Sequence, residues 1–434
     1  MTVCIVTDGF PPQTGGIATF NKHLTSLLTK FGHPVVVIYV DYESRKPDRI
    51  ITEGLLTQVV LSDSYWQELL NWTPYFKPGG FFAPSWIATG ISIKNWLKIN
   101  KSTYKIDIIE VSDYGGIAAF LIDVLEIPVI ITGHGSLTQY SRYNYTKKDD
   151  SFKVIAELEK FSFTKASAII THSELNKKDL ESLFNRNIEL ATIPWCFDIP
   201  TNKSVKNNEK IVTIGGLQPI KGIYNALDAM EILYKKGKSN ITLNWIGNDT
   251  HLAPNHQKMS EYLKNKYIHC WAKNFIWKGE LPYNEAQKLL SESYIVLIPA
   301  YFETFNYIAL EAASLKKPII ITKGTGASFL FTHQENAWIV EQNSPILIAK
   351  AIIQLYTNPD LCKKLGENAY QLMNTKFLSE IIINERLDIY NKAIHLRKNI
   401  DTDNSLLILK KYKTNGRKLY FSLRKKIKKI VKGL

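Results

Sequence analysis

The chain has 434 residues, of which 45% are hydrophobic, 22% charged and 12% aromatic. This composition excludes a disordered or fibrous protein, and the length predicts two large domains with an additional segment. The net charge is +14, but residues 397–434 carry +11 of it and the first 396 residues only +3. The basic character therefore describes a tail rather than the fold.

The cysteines and the amino-terminal residues indicate a cytoplasmic protein. The four cysteines are spaced singly, without the close pairs of zinc sites or disulfide frameworks, which predicts free thiols. The first residues run directly into an apolar strand rather than a signal peptide, and no run of about 18 apolar residues could span a bilayer.

Short β-branched runs alternate with amphipathic stretches, which indicates parallel sheets joined by crossover helices. One series of predicted strands comprises residues 3–7, 35–40, 106–111, 129–132 and 168–173, and a second comprises residues 211–214, 241–246, 295–299 and 318–322. A polar stretch with two prolines separates the series and predicts a domain boundary near Phe197. We therefore expect an α/β protein with two doubly wound, Rossmann-like domains and a ligand site in the cleft between them.

One glycine turn follows a predicted strand in each domain. In "TDGFPPQTGG", Gly15 and Gly16 immediately precede an amphipathic helix, and in "VTIGGLQPIKG" Lys221 and Gly222 precede another. Glycines let the backbone approach a ligand, a helix start presents unpaired N–H groups to a phosphate, and lysine adds a point charge. Either turn alone is equally compatible with a tight connection, but the pair favours a phosphate ligand.

Two glutamates, Glu303 and Glu311, follow the predicted strand "YIVLIPA". Eight helical residues rise roughly 12 Å, so both side chains can face one side of an elongated ligand. That reach suits a nucleotide-sugar, since a carboxylate accepts hydrogen bonds from vicinal hydroxyls. Taken alone, however, two glutamates at a helix start are more typical of surface residues favoured by the helix dipole.

Together these features resemble glycosyltransferase family 4 (group 1), the retaining nucleotide-sugar transferases of the GT-B fold. The matching features, in family order over about residues 1–396, are the Gly15-Gly16 loop, "THSELNKKDL", "IPWCFD", "GGLQPIKG", the E-x7-E pair Glu303 and Glu311, and the glycines of "TKGTGA".

The resemblance implies a role for each matched residue. Gly15 and Gly16 would lie close to the donor diphosphate, and Lys221 would bind it. Glu303 would hold the hydroxyls of the donor sugar, and Glu311 would hold the ribose.

Three further positions belong to the implied donor site. Backbone amides around Phe305 and Asn306 would assist Glu303, and His134 in "ITGHGSLTQY" would lie near the transferred sugar. On the residues alone, a satisfied structural histidine at a strand end is the alternative for His134.

The chain departs from the family pattern at three places. Gly216, which also belongs to the implied donor-binding site, stands where the family usually has an arginine before the leucine of "GGL", and no basic residue lies between Lys210 and Lys221. One of two charges on the diphosphate is therefore missing. Trp195-Cys196 replaces an Asn-Gly turn, and Asn306 stands where glycine is common.

The resemblance implies no metal and no cofactor, because the nucleotide-sugar is a co-substrate and Lys221 with helix N-termini would stabilise the leaving diphosphate. "DTD" at residues 401–403 imitates a metal motif but lies beyond the predicted sheets. The expected organisation is an acceptor-binding domain at 1–197, a nucleotide-sugar domain at 198–376, a helix in 377–396 that packs back on the first domain, and a basic amphipathic tail at 397–434.

The end of the tail, "LYFSLRKKIKKIVKGL", is predicted to form an amphipathic helix. Its apolar side chains share one narrow arc of a helical wheel, Phe421 excepted, and every Lys and Arg lies outside that arc. This pattern favours contact with an anionic membrane surface. A helix docked on the protein's own core and a nucleic-acid-binding tail are the alternatives.

The sequence thus predicts a retaining, metal-independent glycosyltransferase that moves a sugar from a nucleotide-sugar to a glycan or lipid-linked acceptor. We expect it to act in cell-surface polysaccharide or glycolipid synthesis, peripherally on the inner face of the cell membrane, and without binding nucleic acid. A GT-B nucleotide-sugar epimerase and a non-catalytic membrane-associated scaffold are the alternatives.

Overall fold

The computed structural model describes residues 1–13, 15–76, 82–122, 125–144, 148–196, 210–254, 256–395, 408–410 and 412. The first part of the chain forms strands β1 (Thr2–Val6), β2 (Val35–Val40), β3 (Arg49–Glu53), β4 (Leu56–Leu61), β5 (Ile106–Ser112), β6 (Val129–Thr132), β7 (Ala168–Thr171) and β8 (Glu189–Leu190). Its helices are α1 (Gly16–Lys30), α2 (Asp63–Trp72), α3 (Phe82–Asn100), α4 (Leu137–Tyr143), α5 (Asp150–Lys165) and α6 (Glu174–Phe184), with 3₁₀ turns at Thr73–Tyr75 and Tyr114–Phe120.

These strands form one sheet in the order β3-β4-β2-β1-β5-β6-β7-β8. The pairs are parallel except for β3 with β4. Strand β2, "VVVIYV", is buried along its whole length, which is the pattern of a central parallel strand covered by helices on both faces. The carboxyl ends of the parallel strands therefore meet at one edge, where Gly15 and His134 lie in connecting loops.

The second part of the chain forms strands β9 (Lys210–Ile214), β10 (Thr242–Ile246), β11 (Phe275–Trp277), β12 (Ile295–Ile298), β13 (Ile319–Thr322) and β14 (Trp338–Val340). The helices are α7 (Ile223–Lys235), α8 (Met259–Lys266), α9 (Tyr283–Glu292), α10 (Tyr307–Ser314), α11 (Pro345–Tyr356), α12 (Pro359–Lys376) and α13 (Ser379–His395), with a 3₁₀ turn at Gly326–Leu330. The sheet order is β11-β10-β9-β12-β13-β14, with all pairs parallel. The predicted α/β class with two parallel-sheet domains is confirmed.

The two domains are in direct contact through apolar side chains. One continuous hydrophobic cluster includes Phe20 of α1, Trp195 of the connecting segment and Phe305 of the loop before α10, all buried. The last helix, α13, packs against α1, β5 and β6 of the first domain. A site formed by residues of both sheets is therefore supported by a shared hydrophobic core.

Several sequence predictions fall wholly or partly outside the described residues. The boundary near Phe197, the "DTD" at 401–403 and the amphipathic helix from Leu419 onward all lie there. Of the tail, residues 408–410 and 412 are described, and Leu409 is 1% exposed within the hydrophobic core of the first domain. No helix in the described part of the chain is long and apolar enough to cross a membrane.

Gly222 provides a test of how closely helix α7 approaches strand β12. Its φ is +78°, and a Cβ there would lie 1.9 Å from the carbonyl oxygen of Pro299. We expect Gly222→Ala to lower the free energy of unfolding by roughly 2–4 kcal/mol, since left-handed strain and a backbone clash add. Urea unfolding measures the change.

Gly237, beyond the other end of α7, is the matched control. It has a φ of +71° with nothing within 4 Å of a built Cβ, so Gly237→Ala retains the strain without the clash and should lose about 1–2 kcal/mol. Equal losses in the two variants would contradict the proposed close approach.

Candidate active site

Glu303 lies in the loop after β12, and backbone hydrogen bonds fix this loop to the loop after β13. The Glu303 amide donates to the Gly324 carbonyl oxygen at 2.8 Å, and the Gly326 amide donates to the Glu303 carbonyl oxygen at 2.8 Å. A Cβ at Gly324 would lie 2.2 Å from the Tyr301 carbonyl oxygen, and one at Gly326 would lie 2.1 Å from that of Thr304. The glycines of "TKGTGA" thus allow two loops to meet and hold Glu303 in place.

Both carboxylate oxygens of Glu303 have partners. Lys221 Nζ contacts Oε1, and Asn306 Nδ2 donates to Oε2 at 2.8 Å. The Lys221 side chain is 33% exposed and that of Glu303 is 15% exposed, so the ion pair lies at the mouth of the site and remains reachable. The sequence assigned these two residues to different parts of a donor, but in the structure they touch each other.

Asn306 has two functions in the local structure. Besides binding Glu303, its Oδ1 accepts a hydrogen bond from the Ala309 amide at 3.0 Å and caps the start of α10. Asparagine is a favoured N-cap because its side chain satisfies an amide that has no intrahelical partner. The departure from glycine at this position therefore supports Glu303 rather than removing it from the site.

Glu311, on α10, is buried rather than exposed. The residue is 6% exposed, and its Oε2 accepts a hydrogen bond from Gln287 Nε2 of α9 at 2.6 Å. Burial raises the pKa of the Glu311 carboxyl to about 7. The alternative that the two glutamates are solvated surface charges is therefore wrong for Glu311.

The raised pKa of Glu311 predicts a pH-dependent effect on stability. The folded-state pKa of Glu311, near 7, lies above its unfolded value. The contribution of the protonated carboxyl to the free energy of unfolding is therefore fully present below about pH 4.5 and is lost as the pH rises through 7. Relative to the wild type, Glu311→Gln should therefore gain stability between pH 5 and pH 8, by about 2–3 kcal/mol. Urea unfolding at both pH values measures this gain.

Glu285 of α9 is the control, because it is exposed. An equal gain in Glu285→Gln would indicate a general effect of removing a carboxylate rather than an effect of burial. A pH-independent difference for Glu311→Gln would show that burial does not perturb its carboxyl.

The glycines of the two glycine turns, "TDGFPPQTGG" and "VTIGGLQPIKG", lie in different surroundings. Gly15 has a φ of +126°, and among the described residues a Cβ built on Gly15 or Gly16 meets nothing within 4 Å. At Gly216 a Cβ would lie 2.6 Å from Asn248 Oδ1. The Asn248 amide thus lies beside the position where the family has an arginine.

Thr304 joins the two halves of the candidate site. Its hydroxyl donates to the His134 carbonyl oxygen at 3.0 Å, and its own carbonyl oxygen accepts from the Ser173 hydroxyl at 2.6 Å. His134 and Ser173 belong to the first domain, and Thr304 follows Glu303 in the second. The structure therefore places the loops of His134 and Glu303 against each other.

His134 lies on Phe20 of α1, with 4.4 Å between ring centroids in an edge-on arrangement. Its backbone amide donates to Asp113 Oδ1 at 3.0 Å, and the Gly135 amide donates to Oδ2 at 3.1 Å. Burial, and to a smaller extent the charge of Arg386, lowers the pKa of the His134 imidazole to about 3. The imidazole is therefore neutral at physiological pH.

The side chain of Phe305 is not available to a ligand. Its side chain is buried in the core that joins the two domains. The interpretation of this position as an amide donor, with no side-chain role, remains a prediction.

Several side chains around the site were not identified from the sequence. Gln287 comes from α9 and Arg386 from α13, each from a helix with no recognisable motif. Asp113 follows β5, and a polar residue at the carboxyl end of a buried strand was the available signal for it. In the described part of the chain, no group of three or more His, Cys, Asp or Glu could hold a metal ion; metal independence stays a prediction.

Comparisons with known proteins bear on the family and the fold of this chain. The model for glycosyl transferases group 1 matches residues 197–372, and that for glycosyltransferase family 4 matches residues 14–199. An uncharacterized glycosyltransferase, MJ1607 of Methanocaldococcus jannaschii, is 23% identical over 91% of this chain and 99% of its own length. The capsular polysaccharide biosynthesis glycosyltransferase CapM of Staphylococcus aureus is 26% identical over 44% of this chain and 48% of its own.

A solved structure extends the likeness over both domains. A TarM variant of S. aureus, in complex with fondaparinux, alpha-GlcNAc-glycerol and UDP, superposes with a TM-score of 0.67 at 13% identity, covering 90% of this chain and 99% of TarM. Since the two family models together extend from residue 14 to residue 372, this chain belongs to the family 4 (group 1) glycosyltransferases and has the GT-B fold.

Proposed function

We propose that this glycosyltransferase moves a sugar from a nucleotide-sugar to a glycan or lipid-linked acceptor, with retention of configuration and without a metal ion. The observation that carries the proposal is the meeting of Lys221, Glu303 and the His134 loop where the two domains touch. A cation beside a carboxylate that accepts hydrogen bonds is the chemistry that a sugar diphosphate requires at its reacting end.

The proposed donor lies along the E-x7-E segment. The Lys221 ammonium and the start of α7 bind the diphosphate, Glu303 binds hydroxyls of the sugar, and Glu311 binds the ribose. Backbone amides near Phe305 and Asn306 assist Glu303, and the diphosphate also lies near Gly15 and Gly16. UDP in the TarM structure supports a nucleotide diphosphate as the ligand of this fold.

Lys221 has a second partner available when a donor binds. It contacts Glu303 in the structure, and on donor binding its ammonium would approach the diphosphate while Glu303 accepts sugar hydroxyls. The acceptor hydroxyl then attacks the anomeric carbon on the face from which the diphosphate departs, and its proton passes to a diphosphate oxygen. Lys221 and the helix N-terminus stabilise the negative charge that develops on the leaving group.

The proposed role is the synthesis of a cell-surface polysaccharide or glycolipid on the cytoplasmic face of the membrane. Similarity to CapM supports a polysaccharide product, and the cationic amphipathic pattern of the tail supports a membrane-bound acceptor. The first domain would bind that acceptor.

Nucleotide release from a panel of UDP-, GDP- and ADP-sugars, with and without extracted lipid acceptor, tests the proposal. Release that depends on the acceptor, and is unchanged by a chelator, is expected. Turnover without acceptor would indicate an epimerase or hydrolase instead. No turnover with any donor would favour a non-catalytic scaffold.

A further inference from the structure

A cluster of buried polar side chains adjoins His134. Its centre is the Phe20 ring, which lies 4.4 Å from the His134 ring and 5.2 Å from the His172 ring, centroid to centroid. The Arg386 guanidinium lies over the same ring, with its Cζ 5.7 Å from the centroid. Two histidines of the first domain and an arginine of α13 thus surround one aromatic side chain.

Arg386 is fixed by an ion pair inside the protein. It is 1% exposed, and its Nη1 lies 3.2 Å from Glu110 Oε1 of β5. Glu110 also accepts hydrogen bonds from the Tyr390 hydroxyl and, at 2.6 Å, from the Thr132 hydroxyl. Thr132 ends β6, two residues before His134, so a chain of contacts connects α13 to the His134 loop.

The buried nitrogen atoms of this cluster that make no hydrogen bond include both donors and an acceptor. His172 Nδ1 lies 2.9 Å from the Ala191 carbonyl oxygen, so it carries the proton and leaves Nε2 as an acceptor. Among the described residues, His134 Nε2, His172 Nε2, and Nε and Nη2 of Arg386 are buried without a hydrogen-bond partner. Two guanidinium donors and the two histidine nitrogens are therefore buried around the same Phe20 ring, an arrangement that an internal water molecule would satisfy.

We propose that Arg386 is a positioning residue for His134: the guanidinium of α13, paired with Glu110 and lying over Phe20, fixes the ring against which the His134 imidazole packs. The part of this inference that concerns catalysis rests on the proposed function, in which His134 lies beside the transferred sugar. In this proposal helix α13 helps, through Arg386, to complete the site in the first domain.

The charged and titratable groups that face His134 come from each packed element. Arg386 comes from α13, His172 follows β7, and Glu110 and Asp113 come from β5 and its end. Glu110 is paired with Arg386, and Asp113 accepts the backbone amides of His134 and Gly135. Arg386 contributes to lowering the pKa of both His134 and His172, in the same sense as burial.

Titration of the histidine imidazoles by NMR tests the proposal without reference to any substrate. In the wild type and in R386K, which retains the cation, His134 should stay neutral down to pH 5. In R386M/E110Q, which removes both buried charges together, its titration midpoint should rise but stay below the ordinary value of about 6.5, because burial is the larger cause of the lowered pKa. The exposed His256 serves as the reference signal, and a His134→Asn variant assigns the spectrum.

An unchanged His134 midpoint in a folded R386M/E110Q protein would overturn the proposal. If that variant does not fold, E110Q alone tests the proposal. It leaves the Arg386 charge without its carboxylate partner, so the titration midpoint of His134 should stay low or fall further. A rise in the midpoint would contradict the proposal.

Donor turnover supplies a second and separate readout. The kcat of R386M/E110Q should decline at pH values below the new His134 midpoint, with the KM for the donor unchanged. The kcat of the wild type should not decline over the same pH range. Absence of turnover in the wild type would refute the proposed function, and the NMR result would still decide whether Arg386 positions His134.

Discussion

Replacing Lys221 with alanine is expected to lower the rate of sugar transfer by about 10²–10³-fold, because it removes the side-chain cation beside the leaving diphosphate. The fold should survive, since an ion pair that is partly exposed contributes at most about 1 kcal/mol. Steady-state turnover with the donor identified from the panel measures the loss, and circular dichroism measures the fold.

Lys323→Ala is the matched control for this variant. Lys323 contacts Glu341 in the same domain, and both side chains are more than half exposed. Turnover within twofold of the wild type in Lys221→Ala would refute the site assignment, whereas an equal loss in both variants would indicate a general effect of charge.

Glu303→Gln should lower transfer to a similar degree, because the amide replaces one of the two acceptor oxygens with a donor. Since Lys221 and Glu303 touch, the double variant Lys221→Ala/Glu303→Gln should lose much less than the product of the two single losses. Strictly multiplicative losses would contradict a shared function of the pair.

Removing residues 416–434 is expected to weaken binding to anionic phosphatidylglycerol vesicles by about 100-fold or more, since each basic residue near the surface contributes roughly 1 kcal/mol. That segment has eight Lys or Arg and no acidic residue. Co-sedimentation with vesicles measures the change, and phosphatidylcholine vesicles provide the uncharged comparison.

The position of this truncation follows from the structure. A chain that ends at Asn415 keeps Leu409 and its neighbours, which lie in the first-domain core, and should unfold at the same temperature as the full chain. A chain that ends at residue 396 loses Leu409 and should be less stable as well. Equal vesicle binding by the full chain and the chain ending at Asn415 would refute the membrane role of the tail.

Most of the strands that the sequence analysis missed are exposed or very short; the exception is β4, which has four of its six residues buried. Strand β2 consists of six buried residues and is evident from its run of β-branched side chains. Strand β3, "RIITE", is exposed throughout, and β8, β11 and β14 have two or three residues each. Hydrogen bonding to a neighbouring strand, rather than local hydrophobicity, makes these segments strands, and a single sequence does not reveal it.

The sequence by itself determined the α/β class, the two series of strands, and the positions of the glycine turns and the E-x7-E pair, because periodicity and turn chemistry are local properties of the chain. The tertiary structure decided which of these residues meet. Lys221 and Glu303 are 82 positions apart, and Arg386 and Glu110 are 276 apart. Their contacts exist because parallel strands bring their carboxyl ends to one edge and because α13 packs on the first sheet. Burial, which neutralises His134 and raises the pKa of Glu311, likewise arises only when distant segments exclude water together.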